Sequence, residues 1–68
     1  MIDNMVTLTR LNGIKIMINA DLVEFMEETP DTVITLTTGK KFIVRESTRF
    51  IKEEIAKYQL MLHNNLKP

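Results

Sequence analysis

Apolar residues recur in this chain with one period as far as Arg45 and with another after it, and this switch limits the fold more than any single residue does. Before it, apolar and polar side chains alternate in short runs separated by turn formers. Val6, Leu8 and Arg10 alternate with Thr7, Thr9 and Leu11. Asn12-Gly13 follows, a dipeptide that tolerates positive φ at both central turn positions and so predicts a hairpin. The return strand carries Ile14, Ile16 and Ile18 on one face, with Lys15 and Met17 on the other. Asn19-Ala20-Asp21 interrupts the alternation before a third strand over 22–28. Thr29-Pro30-Asp31 makes the next turn, with Pro30 presetting φ. A fourth strand over 32–37 points Ile34 and Leu36 to one face. Thr38-Gly39 turns it into a fifth over 40–45, with Phe42 and Val44 inward. The expected class is α+β: a five-stranded antiparallel meander, curled or barrel-like, followed by one C-terminal helix.

After Arg45 the period becomes helical. Ser47 is placed to cap the helix, its hydroxyl accepting from an unpaired amide of the first turn. Phe50, Ile51, Ile55, Tyr58, Met61 and Leu62 then form one stripe over a helix expected at 47–64, and the stripe packs on the sheet. Glu53 and Lys57 are spaced for an i,i+4 pair on the far side. Leu60 falls off the stripe. With 68 residues, residues 1–68 read as a single domain: 5–45 strands, 47–64 helix, and 1–4 a short extension ahead of Met5, itself a possible start. No cysteine is present, and the single His63 cannot build a metal site alone, so neither disulfide nor metal staples so small a core. Self-association is the available extra source of buried surface. A homo-oligomer is expected, with Leu60, Met61 and Leu66 at the helix end as its contact.

The titratable groups argue against catalysis. His63 sits near the chain end, Gly13 and Gly39 are isolated turn glycines rather than a phosphate loop, and no serine or threonine has a base at a recognisable spacing. No cofactor is expected. Apolar runs do not exceed three residues, so neither a membrane span nor a secretory signal is expected, and the cytoplasm is the expected location. Nine basic residues balance nine acidic ones, which excludes a general polyanion-coating protein. The balance is uneven along the chain, with a net charge of −4 over residues 1–31 and +4 over residues 32–68. Charged contacts with a protein partner are therefore expected. The candidates are the basic cluster Lys40, Lys41, Arg45 and Arg49 and the acidic edge Glu24, Glu27 and Glu28. Arg10 joins the basic cluster if the first and last strands pair. Phe25, Phe42, Phe50 and Tyr58 read as core, leaving no stacking platform for bases, and nucleic acid is not an expected partner.

These residues also carry a family resemblance. The run from Met5 through Leu8-Thr9-Arg10-Leu11-Asn12-Gly13 resembles the opening of the short flagellar proteins of the FlbD type, also called the swarming motility protein SwrD family. Asn19, Asp21-Leu22-Val23-Glu24, the block Glu28-Thr29-Pro30-Asp31-Thr32-Val33-Ile34-Thr35-Leu36-Thr37 and the run from Gly39 to Ser47 extend the resemblance over roughly residues 5–60. It implies a non-enzymatic cytoplasmic protein that supports flagellar motor power, acting on or near the stator units, with a motor or stator protein as partner. The helix is longer than the resemblance leads one to expect. A second similarity is to the carbon storage regulator CsrA, through Leu8-Thr9-Arg10, Gly13 and Val44-Arg45-Glu46 ahead of a helix. That family is a messenger-binding regulator, and its RNA contacts fall here on Leu8, Arg10 and Arg45. Zero net charge, the acidic third strand and a missing middle segment count against it. A generic oligomerisation module is the third reading.

Overall fold

The computed structural model describes the backbone of residues 4–66 and the side-chain surroundings of residues 4–57. Strands β1 (Met5–Thr9) and β2 (Lys15–Asn19) lead into a 3₁₀ turn at Ala20–Leu22. Strands β3 (Val23–Glu28), β4 (Thr32–Leu36) and β5 (Lys41–Val44) follow, and helix α1 (Thr48–Leu66) ends the fold. The α+β class and the element order match the sequence reading, but the single meander does not. β1 and β2 form one antiparallel sheet, and β3, β4 and β5 form another.

The break falls where the alternation stops. Asn19 turns its side chain onto the amide of Asp21, and the amide of Ala20 donates to the carbonyl of Asn4 on the β1 side. The chain is thus diverted into the 3₁₀ turn before β3 can pair with β2. At the other end β1 meets β5 at one bridge, Arg10 to Val44, with the Arg45 amide donating to the Thr9 carbonyl at 2.8 Å. One bridge joins the sheets without closing a barrel.

Both tight hairpins use the same turn. The amide of Gly13 donates to the carbonyl of Arg10, and that of Gly39 to the carbonyl of Leu36, each at 2.8 Å. The glycines have φ of +91° and +92°, and no other residue type adopts positive φ among the described residues. The central turn residues are therefore Leu11-Asn12 and Thr37-Thr38, with the glycine following in a left-handed conformation. Asn12 is not at a positive-φ position, which corrects the expected turn. Its side chain instead accepts from the Ile14 amide at 2.9 Å, and Thr38 does the same for Lys40 at 3.4 Å. Ile14 stands outside β2 at the loop end and is 60% exposed, so it does not join Ile18 in the core.

The core lies between the two sheets and the start of α1. Val6, Leu8, Ile18, Ile34, Val44 and Ile51 are buried, with Ile16, Met26, Leu36, Phe42 and Ile55 packed around them. Ser47 caps the helix as expected, its hydroxyl accepting from the Phe50 amide at 3.1 Å. Ile51 and Ile55, one turn apart, form the packed stripe against β1 and β3. Phe50 stands about 100° round the helix from Ile51 and is 42% exposed, so it does not belong to the core. Phe25 also departs from the core reading. A β-bulge between Val23 and Phe25 adds a residue to β3 and turns Phe25 to the opposite face. The expected Glu53–Lys57 pair is replaced by Arg49–Glu53 at 3.5 Å and Glu54–Lys57 at 3.3 Å. Leu60, Met61 and Leu66, with Tyr58, Leu62 and His63, lie outside the residues whose side chains are described.

Candidate partner-binding site

The bridge between Arg10 and Val44 builds the most distinctive surface of the molecule. Beyond it the first hairpin turns back at Gly13, while β5 continues toward Gly39, so the two backbones part. An open groove of about 370 Å³ lies between them, lined by Arg10, Leu11, Asn12, Lys41, Phe42 and Ile43. The Arg10 guanidinium and the Lys40 ammonium each lie 5.9 Å from the centre of the Phe42 ring, a cation–π arrangement on both counts. The Arg45 side chain lies against the first hairpin turn, its Nη2 donating to the Leu11 carbonyl at 2.7 Å. Pairing of the first and last strands thus brings Arg10 to Lys40, Lys41 and Arg45. None of these four cations makes an ion pair with a carboxylate among the described residues. An aromatic floor with apolar Leu11 and Ile43 on its rim, ringed by free cations, suits an anionic segment with some apolar character.

The other candidates divide between structural and exposed positions. Arg49 is occupied on its own helix by Glu53. Glu28, at the end of β3, accepts from both the amide and the hydroxyl of Thr48 at 2.9 Å. It satisfies an orphan donor of the first helical turn from across the fold. The Thr48 amide and then its hydroxyl hold the Glu28 carboxyl below the ordinary carboxylate value. Glu24 stands exposed at the bulge, and Glu27 is exposed opposite Val33. Leu8 is buried in the core, so of the three RNA-contact candidates only Arg10 lines the groove, with Arg45 beside it on the Leu11 carbonyl.

The sequence reading missed Glu46, which locks β1 to the segment leading into α1. Its carboxylate accepts from the Thr9 amide at 2.9 Å and the Thr9 hydroxyl at 2.8 Å. Burial pushes its carboxyl up, but the Thr9 amide and hydroxyl, its own amide and the Lys15 charge outweigh that and hold it below the ordinary value. No local pattern signals a contact spanning 37 positions; only the β1–β5 bridge reveals it.

The described residues hold no group of histidine, cysteine, aspartate or glutamate able to bind a metal ion, and no helix among them is long and apolar enough to cross a membrane. No curated protein and no solved structure matches the chain. A family model does match, that of FlbD, described as flagellar and swarming motility proteins, over residues 5–63. The matched span runs from the first residue of β1 into α1 and takes in both hairpin turns, the groove between them and the bulged strand. This chain therefore belongs to the FlbD family of flagellar and swarming motility proteins.

Proposed function

We propose that this chain is a cytoplasmic, non-enzymatic adapter that supports flagellar motor power by docking on an acidic surface at or near the stator. Its family supplies the setting, flagellar and swarming motility. The observation that carries the docking mode is the groove, where Arg10 and Lys40 lie over Phe42 and Lys41 stands on the rim, all without carboxylate partners among the described residues. Exposed cations left unpaired within a chain retain their charge for a partner and steer its approach. Exposed ion pairs contribute about 0–1 kcal/mol each, so a single reversal weakens function slightly and several together abolish it.

Deletion of the gene tests the class of function. Filaments remain normal in number while swarming and motor torque fall. Complementation with an Arg10→Glu/Lys40→Glu chain tests the surface: it fails to restore torque, although the protein accumulates and remains folded at the growth temperature. A deletion strain without filaments would overturn the reading, as would full restoration by the double variant. Salt-dependent binding of messenger RNA by the purified chain, with the motility defect cured by altered translation alone, would place it instead among RNA-binding regulators.

A further inference from the structure

We propose that the outer face of the three-stranded sheet is the surface through which two copies of this chain associate. Strand register defines the face. Glu27, Val33 and Ile43 stand side by side across β3, β4 and β5, and Phe25, Thr35 and Lys41 form the adjoining row. Directly paired residues point to the same side of a sheet. The other side carries Met26, Ile34 and Phe42, which pack on the core. The outer side thus carries Phe25 at 47% exposure and Ile43 at 45% at opposite corners, joined across β4 by half-buried Val33 and buried Thr35. Such a stripe on so small a chain marks an interaction surface.

Charge identifies the occupant. Glu27 lies on the β3 edge and Lys41 on the β5 edge, at diagonal corners of the face, and neither forms a hydrogen bond or ion pair within the described residues. A twofold rotation sets Glu27 of each copy against Lys41 of the other, with the apolar residues meeting between them. A partner of one sign would satisfy one corner and repel the other. The face is therefore complementary to itself, and a chain with six buried apolar side chains among its described residues gains substantially from covering it. The contact differs from the helix-end contact that the sequence suggests; it shares Lys41 and Ile43 with the groove rim and leaves Arg10 and Lys40 outside it.

Light scattering on the full chain from low to high micromolar concentration tests the proposal. The parent chain runs at twice its 7.9 kDa mass. Glu27→Lys and Lys41→Glu each weaken association at least about tenfold, because each places two like-charged pairs in the contact. An equimolar mixture of the two variants associates again, since both contacts then join lysine to glutamate. That recovery also shows that neither variant is misfolded. A monomeric parent chain at high micromolar concentration would overturn the proposal. So would unchanged association of either variant, a mixture that stays monomeric, or a dimer sensitive to Leu60→Glu alone.

Discussion

Glu28 and Glu46 each join segments far apart in sequence by accepting from a backbone amide and from the hydroxyl of the same residue. Both carboxyls lie below the ordinary carboxylate value, which fixes the sign of their pH dependence. A group depressed on folding binds fewer protons in the native state, so its stabilisation is present above the unfolded value of about 4.3 and is lost as pH falls through the folded value. Acid titration of the parent chain, followed by circular dichroism, therefore shows stability falling from about pH 4 downward. Glu28→Gln/Glu46→Gln lowers stability at neutral pH and flattens that acid limb. Glu46→Ala, which removes both Thr9 contacts, costs about 1–3 kcal/mol in denaturant unfolding.

The elements depend on a few terminal residues more than on their interiors. The two glycine-ended turns have the same hydrogen-bond pattern, so they answer alike to substitution. Gly39 has open space where a Cβ would stand, so Gly39→Ala isolates backbone strain at φ +92° and costs about 1–3 kcal/mol by urea unfolding. Gly39→Asn costs less, because asparagine enters the left-handed region more readily. At the helix start, Ser47→Ala removes the side-chain cap and costs about 1 kcal/mol. Ile51→Ala opens the core where the helix meets the sheets and costs about 2–5 kcal/mol, enough to leave much of so small a chain unfolded at 37 °C. Thermal melts show the largest fall for Ile51→Ala and a larger one for Gly39→Ala than for Gly39→Asn.

At the scale of the whole molecule, the opposed charge of the two halves becomes a spatial property. Pairing of β3 with β4 and of β4 with β5 sets Glu24 and Glu27 on one edge of the sheet and Lys40 and Lys41 at the other, with two interstrand spacings of about 4.8 Å between the edge strands. The hairpins do not average the charge away. The basic edge continues through Arg10 and Arg45 to the groove, so one side of the molecule gathers four cations despite a net charge of zero. Reversing Arg10 and Lys40 changes this field at exposed positions. The melting free energy then falls by no more than about 1–2 kcal/mol, the loss of two exposed cation–π contacts, while rescue of swarming in a deletion strain is lost.

The switch of period at Arg45, the turn glycines, the Ser47 cap and the inward sets Val6/Leu8, Ile34/Leu36 and Phe42/Val44 were legible in the sequence. Each is a local property, set by backbone preference or by the spacing of side chains along one element. The Lys40–Lys41 part of the groove was legible too, as neighbours in sequence. The split into two sheets depended on where the amides of Ala20 and Asp21 find acceptors, and one acceptor, the Asn4 carbonyl, lies sixteen residues away. The bulge that turns Phe25 outward depends on β3 finding its register against β4. The placement of Arg10 over Phe42 follows from the β1–β5 bridge, and the work of Glu28 and Glu46 from packing that brings distant amides within 3 Å. Local sequence determined which elements form and which faces they bury; the tertiary structure decided which elements pair and which charges remain free, because those depend on acceptors and partners remote in sequence.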